Sequence, residues 1–553
     1  MNLSIHLGKY QERVERQLKE WRDKNFLKKL WSKDTNLWPN FNSQKISQRL
    51  GWLDLPEIMD KKLESILKFA EEIRNEGVSY VVLLGMGGSS LAAEVFQKTF
   101  KNSAGYPRLV VLDSTHPLAV RSMERNIVTD RTLFLVSSKS GTTIETLSLF
   151  RYFWNVVSQT ANNPGHQFVA ISDPESPLVS LAKERDFRHI FLAPPDVGGR
   201  YSAFSVFGLV PAALIGMDIK IFLGKGKIEL ENNNYNISEE NAPGLILGAA
   251  LGELADDRDK LTFLASPSLR SFPLWAEQLV AESTGKDGKG IIPVIEEPVV
   301  SADSYGNDRL FVFLLYDGDK AYDLEELSES LCKIGHPIFF IQLSEKTDLG
   351  GEIFRWEIAT ASAGALLGLN PFDEPDVKLA KDFTKKAMKL EKGEETESST
   401  DKDTFYVDDE KVLREGFRNW VNQFKPSDYI AIQAYLPPFP YITQVFQKIR
   451  LEFLKKTDLA TTLGYGPRFM HSSGQLHKGG PNTGHFLQII DEPELQLRIP
   501  ETDYSFRTLI QCQAFGDYKA LCERGREALR ISLGKDTEEG LMKLWDFIRQ
   551  FEF

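Results

Sequence analysis

The 553-residue chain is predicted to be an α/β protein built on doubly wound parallel sheets. Three observations predict this. The apolar run VVLL (81–84) stops at the glycine-rich GMGGSS and passes into a helical pattern, LAAEVFQKTF. Further strand-like runs, LVVLD (109–113), TLFLVSS (132–138) and HQFVAIS (166–172), alternate with helix-like stretches. A second set then follows: LTFLASPS (261–268), RLFVFLL (309–315) and PIFFIQL (337–343). The two sets do not match closely as sequence, so the repeat is one of architecture.

In chain order, residues 1–75 read mainly as helices, with apolar positions at helical spacing in LPEIMDKKLESILKFAEEI. The first sheet domain is expected over 76–235 and the second over 236–389. Residues 390–403, LEKGEETESSTDKD, are charged and almost free of apolar side chains, as in a solvated linker. Residues 404–553 form a further unit with a helical YITQVFQKIRLEFLKK, a glycine-rich GYGPRFMHSSGQLHKGGPNTG, one strand-like HFLQII and a terminal helix.

Composition narrows the function. A formal charge of −12 argues against a nucleic-acid or anionic-membrane surface, while leaving room for a local anion site. Three irregularly spaced cysteines, Cys332, Cys512 and Cys522, indicate a reducing compartment and no metal framework. The N-terminus is amphipathic without the apolar core of a signal peptide, and no stretch approaches a membrane span. The expectation is a cytoplasmic protein.

Two stretches carry chemistry. In GMGGSS, glycines allow close backbone approach to a ligand, and Ser89 and Ser90 stand where a helix would begin, an arrangement suited to phosphate. A dinucleotide site is the competing reading, since Asp113 ends the second strand; Ser90, however, occupies the place of that motif's third glycine. In SSKSGTTIET (137–146), six of ten residues are Ser or Thr. Helix capping by Ser140, Thr143 and Glu145 explains one or two of them, whereas a phosphate clamp explains the cluster.

These motifs together resemble the sugar-isomerase domains of the glucose-6-phosphate isomerase family. DVGGRYSAFSVFG (196–208) is similar to that family's Gly–Gly–Arg segment, WAEQLVAESTGK (275–286) to its catalytic-glutamate segment, and NPFDEPDVKLAK (370–381) to the signature ending in lysine. The C-terminal glycine-rich stretch resembles the isomerase half of bacterial transaldolase–isomerase fusions, with no residues left here for a transaldolase barrel. The resemblance implies two sugar-isomerase domains and interconversion of glucose 6-phosphate and fructose 6-phosphate by ring opening and proton transfer through a cis-enediolate. Another phosphosugar such as mannose 6-phosphate, or a silent sugar-phosphate sensor, is the alternative.

Proton transfer between C1 and C2 needs a positioned base, and Glu282 is suited by type and by the resemblance. Arg200, behind paired glycines, suits the developing enediolate. Lys381 matches the family's lysine, with Lys378, Lys385 and Lys386 nearby making a solvated helix lysine the plain alternative. Where the family pattern has its ring-opening histidine, this sequence has Asp308–Arg309. His477 is the first replacement and His471 the second; His485 begins a strand, and His116 follows Asp113. Glu374 stands where the family has glutamine. Phosphate contacts carry over to Ser89, Ser138, Ser140, Thr143 and Thr146 with Lys139, and sugar contacts to Gly88 and Gln278. No cofactor or metal is implied. Related isomerases are dimers in which a neighbour lends a catalytic group, so the resemblance implies a homodimer or a C-terminal unit that supplies the group in cis.

Overall fold

The structure is a computed structural model that describes residues 2–39, 41–391 and 403–553. The linker expected over 390–403 therefore lies, from 392 to 402, outside the described residues. Strand β1 (Asn2–His6) opens the chain. The first sheet follows, with β2 (Tyr80–Gly85), β3 (Arg108–Leu112), β4 (Thr132–Ser137), β5 (Phe168–Ser172) and β6 (His189–Leu192), all parallel. Helix α1 (Leu91–Phe100) leaves the β2 turn and α2 (Ile144–Ser158) leaves the β4 turn. The second sheet holds β7 (Lys260–Ala265), β8 (Ile292–Val294), β9 (Arg309–Tyr316) and β10 (Ile338–Leu343), with α3 (Phe272–Thr284) after β7 and α4 (Val377–Glu391) closing the unit.

The central strands are apolar on both faces because helices cover both, as a parallel sheet requires. Val82, Leu84, Phe134 and Val136 face one helical layer, and Val81, Leu83, Leu133 and Leu135 the other; all are buried. One apolar cluster runs without a break from Val81 and Leu83 of the first sheet to Leu261 and Phe263 of the second. The first two units thus share a core.

Residues 1–75 are mainly helical, as expected, and open with β1, which pairs antiparallel with β10 and closes the open edge of the second sheet. One expectation is corrected: the C-terminal unit is a third five-stranded parallel sheet: β11 (Thr404–Tyr406), β12 (Tyr429–Tyr435), β13 (Ala460–Tyr465), β14 (Gly484–Ile490) and β15 (Glu527–Ser532). Only β14 reads as a strand in the sequence. The others carry buried polar positions, with Ile430, Ile432 and Ala434 facing their own apolar core while Gln433, Thr461 and Arg530 are buried. Short helix α5 (Gly474–Gly479) and long helix α6 (Phe506–Glu523) complete this unit near the site.

Strand order is β3-β2-β4-β5-β6 in the first sheet, β8-β7-β9-β10-β1 in the second and β13-β12-β14-β15-β11 in the third. Each time, the chain leaves the first long strand to one side and returns on the other, which opens a crevice at the carboxyl ends of the central pair.

Candidate active site

The crevice between β2 and β4 is a cleft of about 410 Å³, lined by the β2 and β4 turns, the Gly198–Arg200 loop, α3, the 372–374 loop, α4 and the third unit. Glycine is required where these segments meet. Gly87 has φ +53°, and a side chain there would strike the His471 carbonyl; one at Gly88 would strike the Gly199 backbone. The turn is thus pressed between two loops that carry functional side chains. Buried aromatics hold the Gly198–Arg200 and 372–374 loops: Trp52 stacks on Tyr201 at 5.0 Å, and Trp38 meets Phe372 edge-on at 4.9 Å.

Arg200 is buried and gripped by its surroundings. Its Nε donates to Ser283 Oγ (3.0 Å), and its Nη2 to the carbonyls of Pro371 (2.9 Å) and Asp373 (3.0 Å). That leaves Nη1 between two carboxylates, Glu282 at 3.2 Å and Glu374 at 3.1 Å. Gln278 Nε2 donates to Glu282 Oε2 (3.0 Å) and to the His471 carbonyl (2.9 Å). Burial, assisted by the neighbouring Glu374 carboxylate, pushes the Glu282 carboxyl above its usual range against the pull of Arg200. Burial also works upward on Glu374, but Arg200 outweighs it and holds that carboxyl low. One guanidinium therefore serves two carboxylates of opposite tendency, the pattern expected of a poised base beside a fixed anion.

The hydroxyl-rich loop after β4 shapes the other wall. Ser140 and Thr143 line the cleft with Ser89, Lys139 and Lys381. Lys139 pairs with Asp173, and its ammonium pKa is lowered because burial outweighs that partner. At the cleft's far side His471 Nε2 lies 3.1 Å from Glu145 Oε1, which also accepts from Gln513 Nε2 at 2.7 Å. Although burial works the other way, His471 holds the buried Glu145 carboxyl below its usual range. The imidazole comes from the same chain as Glu282.

Comparison with known proteins places this geometry. Residues 58–293 match the family model described as phosphoglucose isomerase. Over that stretch the chain is similar to phosphoglucose isomerases. It is 27% identical over 387 residues to glucose-6-phosphate isomerase of Rubrobacter xylanophilus, covering 60% of this chain and 88% of that one. To the probable glucose-6-phosphate isomerase of Methanococcus maripaludis it is 27% identical over 410 residues, covering 67% and 90%. The crystal structure of a glucose-6-phosphate isomerase from Chlamydia trachomatis shares the fold, with TM-score 0.59 and 17% identity over 70% of this chain and 88% of that one.

Set against the family's motif residues, the structure brings Glu282, Arg200, Lys381, Gln278, Gly88, Ser89, Lys139, Ser140, Thr143 and His471 to one cleft. Others lie elsewhere. His477 is corrected: it sits on α5, buried between the rings of Phe469 (5.6 Å) and Phe486 (5.2 Å), with Nδ1 facing Gln433 Nε2 at 3.1 Å. Burial, reinforced by Lys478 and Arg526, holds its ring pKa far below the usual value, so it is a neutral packing residue rather than an acid. Thr146 is buried inside the first turn of α2, away from the lining. Ser138 is also buried and spends its hydroxyl on Thr143 Oγ1 (3.0 Å) and the Gly141 N–H (3.1 Å), so it shapes the clamp from behind. Asp308–Arg309, where the family has histidine, belongs to the second sheet's interior: Arg309 is buried against Glu297 at 2.9 Å.

Asp113 and Arg468 pair at 3.1 Å, which engages the acid that suggested a ribose. His116 is buried on Asp491 at 3.2 Å. Three cleft or cleft-supporting residues escaped the sequence reading. Arg49 reaches the cleft from the N-terminal helices. Lys286, its ammonium pKa pulled down to about 8 by burial, braces the 370–373 loop through the Asn370 carbonyl (2.7 Å). Glu145 reads in sequence as a helix cap; an acid that opens a helix from a hydroxyl-rich loop is the available signal.

Proposed function

We propose that the chain interconverts glucose 6-phosphate and fructose 6-phosphate. The observation that carries this reading is Glu282, a carboxylate held by Arg200 and Gln278 in the same cleft as a hydroxyl clamp and a carboxylate-backed histidine. A phosphate at Ser89, Ser140 and Thr143, with Lys139 adding charge, orients the sugar so that its reacting carbons lie toward Glu282. Glu145 orients the His471 ring at Nε2, and Nδ1 delivers a proton to the ring oxygen while the C1 hydroxyl, beside Lys381, gives up its own, so the ring opens with no net proton change. Glu282 then takes the C2 proton of the open chain and returns it to C1, while the O2 hydroxyl proton passes to O1. The negative charge that builds on the enediolate oxygens falls beside the fixed Arg200 guanidinium, so the stabilisation is preorganised.

No helix among the described residues is long and apolar enough to cross a membrane. Together with the exposed free thiols of Cys332 and Cys522, this supports a cytoplasmic enzyme. The test is fructose 6-phosphate formation by wild type and Glu282→Gln. A kcat loss of about 10²–10⁴ with little change in KM is expected, because the amide keeps the shape and loses the base. Turnover retained in Glu282→Gln would remove Glu282 from this role.

A further inference from the structure

The third sheet repeats the β3-β2-β4-β5 order of the first as β13-β12-β14-β15, so it has its own crevice at the carboxyl ends of β12 and β14. A cavity of about 400 Å³ occupies that place, separate from the catalytic cleft. Its floor is Tyr435, the Ile490–Glu492 segment and Ser532, the last residues of three parallel strands or those just beyond them. α6 forms one wall, and Ala387 of α4 another. Two guanidiniums, Arg507 and Arg530, belong to the lining. Arg530 is only 6% exposed and lies over the rings of Tyr518 (5.7 Å) and Phe515 (5.8 Å). Arg507 makes no ion pair among the described residues. The two carboxylates of the lining are occupied: Asp491 by His116 Nε2 (3.2 Å) and the Thr537 hydroxyl (2.6 Å), Glu492 by the Ser532 hydroxyl (3.3 Å).

Both walls also serve the catalytic cleft. α6 lines the cavity through Gln511, Ala514 and Phe515, while its Gln513 donates to Glu145. α4 lines it through Ala387 and carries Lys381 into the cleft. The two helices touch where Gly516 meets Thr384 so closely that a side chain on Gly516 would clash. The His116–Asp491 pair joins the cavity floor to the first sheet.

We propose that this cavity binds a small phosphate-bearing metabolite and that its occupancy is transmitted through α6 to the Glu145–His471 pair. Guanidiniums in a half-enclosed site favour a phosphate oxyanion, and Tyr435, Gln511 and Ser532 offer polar contacts to the remainder. Coupling between the two sites runs through α4 and α6, which both share.

The test titrates the intact chain calorimetrically with 3-phosphoglycerate, inorganic phosphate and glycerate, and reads kcat at saturating sugar phosphate, where competition in the cleft vanishes. The expected result is saturable 3-phosphoglycerate binding that survives Ser140→Ala/Thr143→Ala, weakens about tenfold in Arg507→Gln or Arg530→Gln, and shifts wild-type kcat at least about twofold. Equal binding of inorganic phosphate would assign recognition to the free oxyanion alone and still support the site; glycerate is expected not to bind. Arg507→Gln keeps wild-type kcat without the probe. Binding lost with the Ser140/Thr143 variant and indifferent to both arginines would overturn the proposal. So would absence of saturation by about 10 mM, or binding that leaves kcat unchanged.

Discussion

Two histidines six residues apart in one glycine-rich segment have opposite environments. His471 stands at the cleft with a carboxylate behind it, and His477 is enclosed by phenylalanine rings and Gln433. Replacing each by alanine separates the two roles. His471→Ala is expected to lower kcat on cyclic sugar by about 10²-fold or more, with a smaller loss on open-chain substrate. His477→Ala should leave kcat near wild type but cost about 1–3 kcal/mol of stability, since Gln433 loses a buried partner and a cavity opens. Steady-state rates and urea melts of the two variants decide this. The histidines looked alike in sequence because nothing local distinguishes them; the distinction comes from α2 and β14, which arrive from elsewhere in the chain.

At the scale of elements, the helix Leu349–Leu367 is buried along nearly its whole length and carries Glu357 with neither carboxyl oxygen hydrogen-bonded. Burial alone raises its pKa well above the ordinary value. Below about pH 4.3 both folded and unfolded chains hold this proton; above it the unfolded chain releases the proton and the folded chain keeps it. The native state then binds more protons, so stability falls as pH rises, by up to about 1.4 kcal/mol per pH unit, until the folded carboxyl ionises too. Glu357→Gln should abolish that slope and gain resistance to urea at pH 8 relative to wild type, with the two alike near pH 4. Equal pH dependence of both proteins would show that Glu357 ionises without cost.

Across the whole molecule, the cleft takes the proposed base Glu282 from the second unit, the proposed phosphate clamp from the first and His471 from the third, all within one chain. That arrangement predicts the outcome of mixing. Chains carrying Glu282→Gln and chains carrying His471→Ala, unfolded together and refolded as a mixture, should recover no activity beyond either alone, since every cleft retains one lesion. If a neighbour supplied the histidine, mixed dimers would hold one intact cleft and activity would return.

The sheet pattern and the glycine- and hydroxyl-rich loops were readable from sequence because each depends on local constraints: apolar runs for buried strands, glycines where backbones touch, hydroxyls at strand ends. Glu282, Arg200 and Lys381 were singled out by the resemblance of their segments to a known family. Of the third sheet only HFLQII could be read, since β12, β13 and β15 are broken by Gln433, Thr461 with Thr462, and Arg530 and lack a run as apolar as FL and II. Glu145 was legible only as a cap, and Arg49 and Lys286 not at all. Their roles are set by which distant segments pack against them: His471 and Gln513 for Glu145, the 370–373 loop for Lys286, and the Gly198–Arg200 rim for Arg49. Sequence alone determined the chemistry available to this protein. Tertiary packing decided which acids, bases and histidines meet, because burial and pairing are properties of neighbours that chain order does not contain.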